Sequence, residues 1–83
     1  MNNLKALIIL CNSFINKNIS LYEFQIELEH FILPDEFERK LNKYQHNTVN
    51  SLEKIYYFYP QEEHYERGVE VANKLVDAVK TYL

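Results

Sequence analysis

The chain has no tryptophan, one cysteine, one methionine, one glycine and only two prolines. With Cys11 alone, no internal disulfide is possible, and folding does not call for an oxidising compartment. A many-stranded sheet needs turn residues about every 8–12 positions, and this chain lacks them. A glycine-rich phosphate loop is excluded for the same reason, since Gly68 stands alone. No segment approaches the roughly 18 consecutive apolar residues that span a bilayer. The apolar run from Ala6 to Cys11 is short, follows only Lys5 and lacks a small-residue cleavage site, so it does not read as a signal peptide. A cytoplasmic protein is expected.

What remains is an ordinary globular composition, 47% apolar and 25% charged, over 83 residues. That length supports one domain with one modest core. The net charge of −3 is unevenly placed. Between Ser20 and Glu38 there are six carboxylates (Glu23, Glu27, Glu29, Asp35, Glu36, Glu38) and no lysine or arginine. From Arg39 to Lys54 four basic residues face only Glu53, and from Ile55 to Glu70 four glutamates face only Arg67. An acidic field of this kind repels nucleic acid and attracts basic surfaces. No direct contact with DNA, RNA or membrane is expected.

Helical spacing organises the chain. Leu4, Leu7, Ile8, Cys11, Phe14 and Ile15 predict a first helix over about 3–17, ended at Asn18 as a left-handed cap. Ser20 and Glu23 form a capping box, flanked by the staple pair Ile19 and Phe24. The second helix then buries Leu21, Phe24, Leu28, Phe31 and Ile32, and ends at Leu33 because a residue before proline disfavours helix. Pro34 in the first turn and Asp35 start a third helix that runs to Tyr59 on the stripe Phe37, Leu41, Tyr44, Thr48, Leu52, Ile55, Tyr59, with a break near Gln45–Thr48 as the alternative. Val69, Ala72, Val76, Val79 and Leu83, with Val71, Leu75, Ala78 and Tyr82 beside them, predict a last helix over 65–82. The expected fold is all-α, a small antiparallel four-helix bundle.

Catalytic and metal chemistry find little support in these residues. His30, His46 and His64 make no ligand-spaced pair with one another or with Cys11, so no metal or cofactor is expected. Cys11 lies on an apolar stripe without a basic partner and reads as a core residue. An enzyme is not expected. The tyrosines are more informative. Tyr56, Tyr57, Tyr59 and Tyr65 lie within ten residues, among Glu62, Glu63 and Glu66. Helical spacing points Ile55 and Tyr59 to the core, Tyr57 away from it and Tyr56 to the border. A large ring is therefore expected in solvent beside carboxylates, a composition that suits an interface, since tyrosine combines rigid contact area with a hydroxyl. Packing of Tyr57 and Tyr65 over the helix ends is the competing expectation.

Two segments carry a family resemblance. "FINKNISLYEF" followed by "LEKIYYFYPQEEHYERGVEVANKLVDAVKTYL" resembles the colicin D-type immunity proteins, through Lys17, Ile19, Ser20, Glu23 and Phe24, then Phe58, Tyr59, Pro60, Glu62 and Glu63. "IYYFYP" is also similar to the Ile-Tyr-Tyr-Pro segment of immunity proteins against DNase colicins, with Phe58 and Tyr59 added before the proline. The resemblance implies a helical, non-catalytic inhibitor that covers the basic active site of a nuclease toxin, of the colicin or contact-dependent type, in D-type relatives a tRNA-cleaving ribonuclease. A nuclease presents Lys and Arg to phosphates, and carboxylates on a rigid scaffold can stand in for those phosphates. The expected toxin-binding residues are Tyr56, Tyr57, Glu62, Glu63 and Glu66, with Asp35, Glu36 and Glu38 as a second acidic patch, on a protein that is a monomer when free. The alternative is a helical dimerisation or adaptor module whose apolar last helix pairs with a second copy.

Overall fold

The computed structural model describes residues 3–83, and four α-helices, with no strand among the described residues, make up the fold. They are α1 (Asn3–Ile15), α2 (Leu21–Glu29), α3 (Asp35–Phe58) and α4 (Gln61–Lys80). Consecutive helices pack on one another and α4 closes back on α1, while α1 and α3 make no close backbone approach among the described residues. Tyr56 meets His64 at one end of the α3–α4 pair and Phe37 meets Tyr82 at the other, so these two helices run antiparallel. The all-α four-helix bundle is as expected.

One cluster of buried residues fills the centre. Leu4, Leu7, Cys11 and Phe14 come from α1, and Leu21, Phe24 and Leu28 from α2. Leu41, Val49, Leu52 and Ile55 come from α3, and Ala72, Leu75, Val76 and Val79 from α4. Burial pushes the Cys11 thiol up to about 12. Because the folded chain holds that proton more tightly than the unfolded one, its contribution to stability is present below about pH 9 and fades as pH rises toward the folded value.

The boundaries differ from the sequence expectation in instructive ways. α1 ends at Ile15 rather than Lys17, and Lys17, not Asn18, takes the left-handed conformation (φ 64°). Asn18 N–H donates to Ser13 O and Lys17 N–H to Phe14 O, both at 2.8–2.9 Å. This pair of bonds makes a Schellman motif, whose left-handed position is set by the bonding pattern and not by the residue best suited to it. The Ser20–Glu23 capping box forms as expected, with both reciprocal bonds present. The Ser20 backbone N–H, and then its side chain, hold the Glu23 carboxyl below its usual range. Its contribution is therefore present at neutral pH and lost as pH falls through that lowered value.

α2 stops at Glu29, four residues before Leu33, so Ile32 is not buried but 81% exposed. The reason lies in α3. The Gln45 side chain is buried and its amide donates to Phe31 O at 2.7 Å and to Leu28 O at 2.8 Å, the latter also accepting from Phe31 N–H at 3.2 Å, so that it caps the end of α2. The segment after Glu29 then alternates as extended chain, with Leu33 in the core and Ile32 outward. α3 is unbroken at Gln45–Thr48. Its core stripe keeps the expected Thr48 and adds Gln45 and Val49, whereas Tyr44 and Tyr59, expected on it, are exposed. Pro34 is the N-cap of α3 rather than a first-turn residue, and Pro60 plays the same part for α4. α4 consequently starts at Gln61, four residues before Tyr65, with Glu62 and Glu63 in its positive first turn. It ends at Lys80, and Leu83 is exposed beyond it.

Gly68 sits in the middle of α4, where alanine would normally favour the helix by about 1 kcal/mol. Here a Cβ would meet Phe14 Cζ at 2.6 Å, Phe14 Cε2 at 2.8 Å and Leu21 Cδ1 at 2.9 Å. Overpacking of this kind costs about 1–3 kcal/mol, so Gly68→Ala is expected to lower the midpoint of thermal unfolding, against its helix propensity. Gln45→Leu is expected to cost about 1–3 kcal/mol in urea unfolding, since it leaves Phe31 O without its bond and removes one of the bonds to Leu28 O. Gln25→Leu should instead be neutral or stabilising, because Gln25 Oε1 is buried without a hydrogen-bond partner.

Candidate functional site

Tyr56 is the hub of the aromatic end of the bundle. It lies in the last turn of α3 and touches rings from three helices. Tyr22 of α2 is 5.4 Å away, Tyr57 lies edge-on at 5.0 Å and 89°, and the His64 imidazole of α4 is 5.8 Å away. Edge-on and offset ring pairs contribute about 0.5–1.5 kcal/mol each beyond their buried area. The rings are therefore fixed by one another although solvent reaches all of them. Tyr57 is 68% exposed and Phe58 79%. So large an exposed aromatic patch on a small bundle is the composition of an interaction site.

Tyr59, the C-cap of α3, is held separately. The Arg67 guanidinium lies 3.8 Å above its ring and bonds the Glu63 carboxylate at 2.8 Å, one helical turn back. His64 Nε2 is 2.9 Å from Tyr59 O, at the tip of the α3–α4 junction. Tyr65 packs on Phe14 at 5.7 Å and donates its hydroxyl to Ile15 O at the end of α1, while the Lys17 ammonium sits 4.6 Å over its ring. Packing over helix ends therefore describes Tyr65 and not Tyr57. An open groove between the α1–α2 turn and this junction is lined by Lys17, Tyr22, Tyr56, Tyr59, His64 and Tyr65.

The expected carboxylates divide into three groups. Glu63 is engaged by Arg67 and faces α3. Glu62 and Glu66 are exposed, one turn apart and about 100° and 60° round α4 from Glu63, on the side nearer Tyr65, and neither forms an ion pair or hydrogen bond among the described residues. Asp35, Glu36 and Glu38 lie in the first turn of α3, which is 24 residues long. That puts them about 30 Å along the helix from Tyr56 and Tyr57. The structure brings Tyr56 and Tyr57 together and places the three acids of the α4 start near the same end. It leaves the second patch at the far end, beside the exposed Ile32 and Glu29, where a groove begins that runs along α3 as far as Glu53. Sequence reading missed Tyr22, Phe58 and Arg67 as parts of this surface. Arg67 was legible as the i+4 partner of Glu63, whereas Tyr22 joins only through the packing of α2 on α3.

Nothing in these residues gathers a metal site, since no group of three or more His, Cys, Asp or Glu converges among the described residues. No helix among them is long and apolar enough to cross a membrane. Two substitutions separate surface from scaffold. Phe58→Ala is expected to change the unfolding free energy by no more than about 0.5 kcal/mol, since Phe58 is 79% exposed. Tyr65→Phe, by losing the bond to Ile15 O, should cost about 1 kcal/mol; equal effects in a urea titration would contradict the division. No family model, curated protein or solved structure matches the chain.

Proposed function

We propose that this chain is a non-catalytic immunity protein that binds a cognate nuclease toxin in the bacterial cytoplasm and covers its basic active site. The observation that carries the reading is the aromatic end of the bundle. Tyr56, Tyr57 and Phe58 stand in solvent on a rigid helix end, with the unpaired carboxylates of Glu62 and Glu66 on the adjoining helix. Rings fixed before binding spare the entropy of ordering them, and unpaired carboxylates meet the cations that a nuclease holds for phosphate. The resemblance to colicin D-type immunity proteins favours a tRNA-cleaving ribonuclease as the target. A dimerisation module built on α4 is less favoured, because Ala72, Leu75, Val76 and Val79 are already buried in the chain's own core.

Co-expression with the toxin domain encoded immediately upstream tests the reading. Survival with intact tRNA is the expected result, and death with or without the protein would refute it. Survival with DNA, not tRNA, as the unprotected target would move the partner to the DNase class. Within this reading, Glu62→Lys combined with Glu63→Lys is expected to leave the helical circular-dichroism spectrum unchanged and to weaken protection, and unchanged toxin binding would remove these acids from the site.

A further inference from the structure

The chain shows how it holds a guanidinium. Arg67 is gripped from two sides, by the Glu63 carboxylate at 2.8 Å and by the Tyr59 ring at 3.8 Å. The same two kinds of group recur on the surface of α3. Glu53 and Tyr57 are four residues apart, so their side chains are neighbours on the helix surface. They line one open cavity of about 310 Å³ together with Asn50, Lys54 and Phe58. Among the described residues no cation pairs with Glu53 and none lies over Tyr57. Lys54 follows Glu53 directly and so lies about 100° round the helix from it. Phe58 adds a second exposed aromatic surface beside Tyr57, and Asn50 adds an amide that can accept a hydrogen bond.

We infer that the Glu53–Tyr57 cleft receives an arginine side chain from a partner protein. The guanidinium stacks on the Tyr57 ring while its N–H groups donate to the Glu53 carboxylate, the arrangement that Arg67 makes internally. Arginine fits this cleft better than lysine. Its planar fork pairs with a carboxylate while its face stays free for a ring, whereas an ammonium is a compact and more strongly hydrated charge. The inference deepens the proposed function and rests on it for the identity of the partner, a basic nuclease, but the cleft's preference for arginine does not depend on that identity.

The test uses two separate probes on the intact protein. The first is a titration of ¹⁵N-labelled protein with an acetylated tetra-arginine peptide, and with tetra-lysine as control. Shifts centred on Asn50, Glu53, Tyr57 and Phe58, stronger for arginine, are expected. In Glu53→Gln that affinity should fall about tenfold, the scale of one charge-assisted hydrogen bond, while Glu70→Gln should leave it unchanged. Equal response to the two peptides, shifts spread over all acidic surfaces, or indifference to Glu53→Gln overturns the inference. The second probe is the upstream nuclease domain. If it binds wild type and Glu53→Gln equally, the arginine site is wrong while the immunity reading stands. If it binds neither, the immunity reading fails and the peptide result alone decides the cleft.

Discussion

The contact on which the rest of the molecule depends is Phe14 lying against Gly68. The ring comes from the last turn of α1 and occupies the space that a side chain at Gly68 would fill, with Leu21 of α2 closing the same spot. Phe24 stacks on Phe14 at 5.1 Å and 12°, so three helices meet over one ring pair. The chain has a single glycine, and close approach of α4 to this pair is what it is used for. From that approach the rest follows. Tyr65, three residues before Gly68, reaches the open end of α1, and Lys17 turns left-handed to finish that helix with its ammonium over the Tyr65 ring. A left-handed non-glycine residue costs about 1–3 kcal/mol, and the neighbouring contacts offset it.

The other end of the bundle is organised by a polar contact. Gln45 reaches across 17 and 14 residues to Leu28 O and Phe31 O and so decides where α2 stops. Between these two anchors α3 runs the length of the molecule, whose long dimension is 38 Å. Its first turn carries the acids Asp35, Glu36 and Glu38, and its last turns carry Tyr56, Tyr57 and Phe58. The two ends of this rod therefore present different chemistry to a partner. The aromatic end is the better candidate because its rings are packed on one another and need no ordering when a partner arrives.

Much of this was legible in the sequence. The capping box at Ser20 and Glu23, the apolar stripes of α1 and α4 and the outward position of Tyr57 follow from local spacing alone. What was hidden depended on distant contacts. Phe31–Leu33 reads as a continuing apolar helix until Gln45 is seen to cap α2 ahead of it. Pro60 reads as a stop, and its role as the start of α4 becomes visible only when Glu62 and Glu63 are placed in the first turn. The assignment of Lys17 rather than Asn18 to the left-handed position depends on which carbonyls the turn must satisfy. Glu63 was counted among the free acids although Arg67 stands four residues on, a pairing the spacing does announce. The separation of the second acidic patch, Asp35–Glu38, from the tyrosines follows from the length of α3 by arithmetic at 1.5 Å per residue.

The most direct test of the central claim, that the aromatic α3–α4 end is the partner surface, is amide hydrogen exchange of the protein alone and with the nuclease domain that the proposed function calls for. Slowed exchange concentrated over residues 53–66, with Asp35–Glu38 unaffected or protected less, is the predicted result. Protection confined to the first turn of α3 and the Ile32 loop, or none at all in a mixture that forms a complex, would contradict it.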